Sequence, residues 1–425
     1  MVNSAYYRYT QHEAYLGGKR MYEFQLDMYQ VAGVAAVMFW LGSWIVKKSK
    51  FLSKYCIPAP LIGGLIFASV NTVLAASGTM VITLDTTLQN ILMSVFFTTI
   101  GFSASIPLIK RGGRQILVIL FLSVVVLTFQ NGIGSGIASL FGIDPRLGLS
   151  VGSISLMGGP GTAAAFGAIM EGPDYLVQGA SAVGLAAATF GLVAGSILGG
   201  PIMRRRLNQL DLQEVAVIKN EIAATKEEGV KEKIEHGMIK TNVDRFVMAA
   251  MLLAVALGTG VVLSKIMATT GITFPAYMGA LVMGAVLRNI VEVSGHRHPN
   301  EEIEICGEIS LSLFLAMAMM GLKLWVLADL AVPIIVILIA QVLFMFVFSY
   351  FILFNLLGKD YEAAVQTAGF IGYAMGSMSN AMANMQTITR KYGVAPAAYL
   401  AIPIGGMISD FFNAVIITGF LNYFT

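Results

Sequence analysis

The sequence predicts an all-α polytopic membrane protein, with ten transmembrane helices in two inverted five-helix repeats and a re-entrant hairpin in each repeat. Three observations predict this fold class. Of the 425 residues, 56% are hydrophobic and only 12% are charged, whereas soluble proteins average about 45–50% apolar and about 25% charged residues. The mean hydropathy is +0.76. Apolar segments of bilayer-spanning length also recur on both sides of one polar segment. So few charges could not cover the surface of a soluble protein.

The spans follow from the length rule that a helix needs about 20 mostly apolar residues to cross about 30 Å of hydrocarbon. Ten segments qualify, five before and five after the polar segment 203–245. The first five are 29–46, 57–76, 88–109, 115–141 and 175–202. The second five are 246–268, 274–291, 307–328, 330–357 and 395–422.

The polar segment and the spans together give the predicted domain organisation. Residues 203–245 begin with three consecutive arginines and are rich in Glu and Lys, which predicts a solvated linker. The five-helix repeats are 29–202 and 246–425. Residues 1–28 form an N-terminal extension rich in tyrosine, and tyrosine favours the membrane–water interface. An interfacial segment and a disordered tail are equal alternatives for this extension.

Two apolar stretches, 147–170 and 361–386, do not fit ordinary spans because Gly and small polar residues interrupt them. A helix broken at membrane depth exposes backbone N–H and C=O groups, which is tolerated only inside protein or beside a cavity. We therefore predict re-entrant hairpins. The alternative is a span whose small residues allow close helix contacts.

Basic residues predict the orientation. By our assignment, 21 of the 27 Lys and Arg residues lie in loops on one side or in the linker. The other six are Arg8, Lys19, Arg20, Arg146, Lys265 and Lys323. The positive-inside rule places the linker in the cytoplasm and both termini outside. The first hairpin then enters from outside and the second from the cytoplasm.

Weak internal similarity supports the inverted repeat. The segment 60–66 (PLIGGLI) is similar to 275–281 (PAYMGAL), and 97–102 is similar to 317–322. In both halves a predicted hairpin precedes the final span. Inverted repeats with broken segments near the bilayer midplane are typical of secondary transporters.

Asp410 is the one acidic residue well inside a predicted span. A carboxylate there costs about 2.5–3.5 kcal/mol on insertion scales, and such residues are functional by default. Asn413 follows three positions later and shares a helix face with it. Carboxylate and amide oxygens suit a small alkali cation, whereas the alternative is an Asp bonded to a neighbouring helix.

The hairpin tips form the second candidate site. Glycine allows a ligand to approach the backbone closely, and a helix restarting after each tip directs free N–H groups toward a cavity, where they attract carboxylates. The predicted substrate-binding residues at the tips are Gly158, Gly159, Gly161 and Thr162 in the first, and Gly376, Ser377, Ser379 and Asn380 in the second.

Hydroxyl and amide residues in the third and fourth spans are weaker candidates. We predict that Thr98 and Ser103 contribute to the substrate site and Thr99 to the cation site, with Ser105 nearby. The alternative, at even odds, is that these hydroxyls bond carbonyls of their own helix. Gln130 and Asn131 are interpreted as contacts between helices rather than as ligands.

Several functional classes are excluded. The sequence has no GxxxxGK[ST] loop for nucleotide-driven pumping, no HExxH motif or intramembrane Asp/His dyad for proteolysis, and no basic patch for nucleic acid. Two cysteines, 250 residues apart, support neither a disulfide scaffold nor a zinc ribbon. We expect neither an enzyme nor an organic cofactor. An ion channel is the remote alternative.

The chain resembles the bacterial glutamate:sodium symporter (ESS) family. The resemblance covers nearly all of the chain after residue 28. The stretches that carry it are SLMGGPGTAAAFG at 155–167, AAATFGLVAGSILGGPI at 186–202, SLSLFLAMAMMGLKLW at 310–325, NAMANMQTITRKYG at 380–393 and DFFNAVIITGFLN at 410–422. It implies two inverted repeats, a homodimer in the bacterial inner membrane, sodium-driven uptake of glutamate, and an elevator motion of a transport domain against a scaffold. Sodium would then be the cation at Asp410.

The tips depart from the family pattern. Pro160 stands where the family usually has His, and Met378, Ser379 and Asn380 replace a run similar to Thr-Pro-Thr. Because these positions are expected to touch substrate, a sodium-coupled dicarboxylate symporter is the alternative to a glutamate symporter.

Overall fold

The structure is a computed structural model. It describes residues 12–16, 19–55, 57–107, 113–209, 243–269, 277–294, 299–322, 326–393 and 395–424. Most of the predicted cytoplasmic linker, residues 210–242, lies outside the described residues. The basic segments at 108–112 and 295–298, and the first residues of the repeated motif at 275–276, also lie outside them.

The described part of the chain is predominantly helical. In the first half the helices are α1 (Met28–Lys48), α2 (Lys50–Lys54), α3 (Ala59–Ala76), α4 (Thr87–Ser103), α5 (Gly113–Leu140), α6 (Pro145–Ser150), α7 (Gly159–Glu171) and α8 (Ala180–Gln209). In the second half they are α9 (Val243–Ala268), α10 (Met278–Val293), α11 (Asn300–Met320), α12 (Val326–Val347), a π-helical turn (Phe348–Leu353), α13 (Phe354–Leu357), α14 (Tyr361–Ala374), α15 (Met378–Tyr392) and α16 (Pro396–Tyr423).

A multi-pass membrane protein is confirmed by the length and hydropathy of these helices. Within the described residues, eight are long and apolar enough to span a membrane. They are α1, α3, α5, α8, α9, α11, α12 with its continuation to Leu357, and α16. The other two predicted spans, 88–109 and 274–291, correspond to the shorter helices α4, with 17 residues, and α10, with 16.

The predicted span 307–328 is wrong in position, because α11 begins at Asn300 and ends at Met320. Its first turns carry Glu301 and Glu302, which a hydropathy criterion excludes from a span. Glu302 is fully buried and forms an ion pair with Arg245 of α9 at 2.7 Å. This pairing allows a charged turn to belong to the packed helix.

A small β-sheet corrects the all-α prediction. Strands β1 (His12–Leu16) and β2 (Lys19–Leu26) pair antiparallel, and β2 pairs in parallel with β3 (Met80–Leu84). The described part of the N-terminal extension therefore forms paired strands rather than a disordered tail, and its location at the membrane interface stays a prediction. Asp27 ends the strand and begins α1, since it accepts hydrogen bonds from the N–H groups of Tyr29 and Gln30 as a helix cap.

The chain divides into two compact units. The first comprises residues 1–93 and 308–331, and the second comprises 94–307 and 332–425. In the first, α1 and α3 approach closely because Gly42 lies against Ala59 and Gly63 lies against Met38. The second contains the large apolar core and both interrupted stretches.

Candidate functional site

The first interrupted stretch consists of two helices joined by an irregular buried segment. Helix α6 begins after Asp144, whose side chain accepts from the N–H of Arg146 at 2.9 Å, and it ends at Ser150. Helix α7 begins at Gly159. Residues 151–157, which lie between the two helices, are all buried. The Ser155 hydroxyl donates to the carbonyl of Gly184 in α8 at 2.7 Å. The backbone of this break is thus enclosed in protein, as a broken membrane helix requires.

The second interrupted stretch breaks after Ala374 and restarts at Met378. Ser377 caps the new helix, because its hydroxyl accepts from the N–H of Asn380 at 3.4 Å. Helices α14 and α15 pack antiparallel: Gly372 lies against Ala381, and the Asn384 amide donates to Ala368 at 3.3 Å. That either stretch enters and leaves the same face of a bilayer stays a prediction.

The two breaks meet at their glycines. Gly159 has a left-handed backbone, with φ of +65°, and a methyl group added there would lie 3.0 Å from the carbonyl oxygen of Gly376. Glycine is needed at this position because other residues are strained at positive φ. Helices α7 and α15 both begin here, so two sets of N–H groups without intrahelical partners lie close together. Their positive helix ends make this junction suited to carboxylates.

One face of helix α16 lies beside both breaks. A side chain at Gly406 would meet Met378 of the second break. Asn413 bonds Ser153 of the first break twice: its Oδ1 accepts from the Ser153 hydroxyl at 2.8 Å, and its Nδ2 donates to the Ser153 carbonyl at 3.3 Å. Asp410 is four residues after Gly406 and three before Asn413, so it lies on the same face between these contacts.

The environment of Asp410 fits a cation ligand. The residue lies midway along α16 and is partly buried. Within the described residues, its carboxyl group has no hydrogen-bond or ion-pair partner, although it is within electrostatic range of Tyr373. An unpaired carboxylate inside a membrane span requires a compensating charge. The side-chain amide of Asn413, in contrast, already has hydrogen-bond partners in Ser153. Asn413 therefore has a structural role as well as being a candidate ligand.

The remaining predicted tip residues differ in exposure. Thr162 is 5% exposed and Asn380 is fully buried, whereas Ser379 is exposed. Gly158 lies against Thr162 and so belongs to the start of α7. Gly161 lies in the first turn of α7 and is buried.

The predicted residues of α4 make contacts with their own helix. Thr98 donates to Ser94, Thr99 to Phe96, and Ser103 to Ile100, each at 2.7 Å. Ser103 also donates to the carbonyl of Met407 in α16 at 3.1 Å. Thr99 lies against Gly307 of α11. Among the described residues, none of these contacts reaches a break, so the roles of Thr98, Thr99 and Ser103 stay predictions.

Gln130 and Asn131 bring α5 to both breaks, which the sequence interpretation as helix contacts did not specify. The Gln130 amide donates to the carbonyl of Ala374 at 2.9 Å, and Asn131 Oδ1 accepts from the N–H of Ser153 at 3.0 Å. Both side chains are fully buried. The feature of the sequence that could have indicated these contacts is the pair of adjacent amide side chains in the middle of an apolar span. Because neighbouring residues of a helix point in different directions, one amide reaches each break.

Helix α8 supports the second break from the other side. Asn380 donates to the carbonyl of Leu192, and Asn384 donates to that of Gly195, both at 2.8 Å. Gly191 lies against Met375 and Gly199 against Asn384. Glycines at four-residue spacing thus let the broken stretch pack directly on the backbone of α8.

Comparisons with known proteins give one consistent result. The family model described as "Sodium/glutamate symporter" matches residues 24–394. The chain is 38% identical over 401 residues to the sodium/glutamate symporter of Escherichia coli K12 and to that of Shigella flexneri, covering 94% of this chain and 98% of each relative. It is 33% identical over 398 residues to the Haemophilus influenzae sodium/glutamate symporter, covering 93% and 97%. On the extent of these matches, the chain belongs to the sodium/glutamate symporter family.

Proposed function

We propose that the chain is a secondary transporter that couples the inward flow of Na⁺ to the uptake of L-glutamate. The observation that carries the proposal is the meeting of the starts of α7 and α15 at Gly159 and Gly376, beside the helix that carries Asp410. The relatives of nearly full length are all named sodium/glutamate symporters. A bacterial inner membrane with both termini outside is the proposed location.

The carboxylates of glutamate would bind the backbone N–H groups at the two helix starts, since these groups lack intrahelical partners. Asp410 would bind Na⁺ through its carboxylate, with Asn413 in support. Positive charge from Na⁺ offsets the negative charge of the substrate, so each ligand raises the affinity for the other. The membrane potential contributes about 2.3 kcal/mol per charge per 100 mV to inward movement.

Transport requires that the site face each side in turn. Inverted repeats around a central site provide such alternation. The two five-helix repeats, the re-entrant hairpins, an elevator motion and a homodimer are parts of this proposal, taken from the sequence pattern and the family resemblance. The exchange of the site between the two faces would be followed by accessibility of a cysteine placed at Ser379, in Na⁺ and in choline.

Uptake by the purified protein in proteoliposomes tests the proposal. An inward Na⁺ gradient should drive accumulation of labelled L-glutamate, and an equal choline gradient should not. Glutamate accumulation that ignores the Na⁺ gradient would contradict the proposal.

A sodium-coupled dicarboxylate symporter is the second candidate, favoured by Pro160 and by the residues Met378–Asn380 at the tips. Malate that competes with glutamate at equal concentration would support it, and malate without effect would exclude it. Current that flows without substrate, far above any uptake rate, would instead indicate a channel.

A further inference from the structure

Arg206, in the last turn of α8, lies against two aromatic rings. Its guanidinium carbon is 4.6 Å from the ring centre of Tyr350 and 5.3 Å from that of Phe354. Among the described residues, no carboxylate forms an ion pair with Arg206, and its side chain is partly exposed. A ring face attracts a cation but leaves its charge in place. The guanidinium therefore carries a charge that an anion can still neutralise.

The two rings hold this guanidinium in position. Tyr350 belongs to the π-helical turn, and Phe354 begins α13 and is fully buried. The Tyr350 hydroxyl donates to Gln209 Oε1, three residues after Arg206, so the ring is bonded to the same end of α8. Turns of π-helix are rare and frequently lie at functional sites. A side chain that is already held in place loses less conformational entropy when it binds a ligand.

The surface beside these rings is apolar and exposed. Phe351 packs edge-on against Tyr350 with 4.9 Å between ring centres, and Phe346 stacks on Tyr350 at 5.8 Å. Phe351 is 55% exposed and Phe346 is 39% exposed. Both belong to Leu330–Leu357, which is long and apolar enough to span a membrane. The basic end of α8 therefore borders an apolar surface through the ring of Tyr350, and tyrosine is typical of the membrane–water interface.

Other basic residues lie at the same end of α8. Arg205, which precedes Arg206, is exposed. Helix α15 runs parallel to α8, as the bonds of its two asparagines to α8 show, and its last turn adds Arg390 and Lys391, both exposed. Neither last turn contains an acidic residue. The ends of the two helices therefore carry an excess of positive charge, which attracts anionic groups at a membrane surface.

We propose that the end of α8 is a binding site for an anionic phospholipid, with the headgroup phosphate on Arg206 and an acyl chain along Phe346 and Phe351. A guanidinium bonds a phosphate through two parallel N–H groups. The basic residues match the headgroup of such a lipid, and the exposed rings match its acyl chain. The acidic residues of the linker would satisfy the charge alone. The positive-inside rule explains why basic residues lie at this end, but it does not explain why one guanidinium is held against two rings beside an exposed apolar surface.

The test is the rise in Tm of the purified full chain in dodecyl maltoside, at constant ionic strength and without glutamate. The probes are dioctanoyl phosphatidylglycerol, dioctanoyl phosphatidylcholine and inorganic phosphate. A ligand that binds only the folded state raises Tm with its concentration. Phosphatidylglycerol should raise the Tm of wild type, and the other two probes should not. Inorganic phosphate that raises Tm as much as phosphatidylglycerol would overturn the lipid as the source of the phosphate.

Three substitutions separate this site from general attraction to anions. Arg206→Gln should raise the phosphatidylglycerol concentration at half effect by about tenfold or more, as expected for loss of a hydrogen bond between charged groups. Phe351→Ser leaves every charge in place and should raise it about fivefold, through lost apolar contact. Lys48→Gln is the matched control, because Lys48 ends α1 and also lies over a ring, that of Trp44 at 4.2 Å. It removes the same charge elsewhere and should respond like wild type.

An unchanged response in Arg206→Gln would overturn the site, and so would an equal loss in Lys48→Gln, which would indicate attraction to the whole basic surface. Wild type that ignores phosphatidylglycerol, together with a lowered Tm of Arg206→Gln in its absence, would place the partner of Arg206 within the chain and overturn the lipid. Should Arg206→Gln fail to fold, Phe351→Ser decides, and a wild-type response there overturns the site. Because no measurement uses glutamate or a Na⁺ gradient, the result does not depend on the proposed transport function.

Discussion

Replacement of Gly159 by alanine tests the meeting of the two breaks. Its φ of +65° places a non-glycine residue in the left-handed region, at a cost of about 1–2 kcal/mol. The added methyl group would also lie 3.0 Å from the carbonyl oxygen of Gly376, which is tighter than an ordinary van der Waals contact. The neighbouring break must shift by a few tenths of an ångström, and the two helix starts then separate.

Gly142→Ala is the matched control. Gly142 lies between α5 and α6 with φ of +70°, and nothing lies within 4 Å of an added methyl group. Both substitutions should therefore lower the free energy of unfolding by about 1–2 kcal/mol, but only Gly159→Ala should disturb the junction. If the shift of the junction weakens glutamate binding by a similar amount, about 1–2 kcal/mol, the KM for glutamate rises by roughly 5–30-fold in Gly159→Ala alone.

The assay is Na⁺-driven uptake of labelled glutamate in proteoliposomes, with Tm measured on the same preparations. We expect a raised KM for Gly159→Ala and an unchanged KM for Gly142→Ala. Equal KM values in the two variants, at equal loss of Tm, would refute the inference that the junction binds substrate.

Three further substitutions test other parts of the site. Asp410→Asn should sharply weaken the Na⁺ dependence of uptake, since the carboxylate charge is removed; unchanged coupling would exclude Asp410 as an ion ligand. Asn413→Leu removes both bonds to Ser153 and should lower the unfolding free energy by about 1–3 kcal/mol, which thermal unfolding measures; a wild-type Tm would show that the contact is dispensable. Burial raises the pKa of Asp144, but hydrogen bonds and attraction from Arg146 outweigh it, so the net pKa is lowered. A carboxylate whose pKa is lower in the folded state than in the unfolded state stabilises the fold at pH values above the unfolded pKa of about 3.9, and this stabilisation is lost as the pH falls through the folded pKa. Wild type should therefore lose more stability than Asp144→Asn on acidification below about pH 4; parallel pH curves would contradict this.

The sequence was sufficient where structure depends on local composition. Apolar length predicted most spans, and glycine-rich interruptions predicted that 147–170 and 361–386 would not be single continuous helices. Asp410 was identifiable because a lone carboxylate in an apolar span is unusual. These signals lie within a few neighbouring residues.

Features that depend on distant partners were not predictable. Strand β2 pairs in parallel with β3 more than fifty residues later, and its own sequence gives little indication of this partner. The early start of α11 depends on the ion pair of Glu302 with Arg245. The contacts of Gln130 and Asn131 with the two breaks require the fold of the whole second unit. Long-range pairing therefore decided the elements that hydropathy missed.

The central claim is that substrate binds where α7 and α15 begin. An experimental structure of the protein in lipid nanodiscs with Na⁺ and L-glutamate tests it most directly. We predict ligand density within hydrogen-bond distance of the backbone N–H groups after Gly159 and Ser377, with an ion at Asp410. Glutamate density remote from both helix starts would contradict the account.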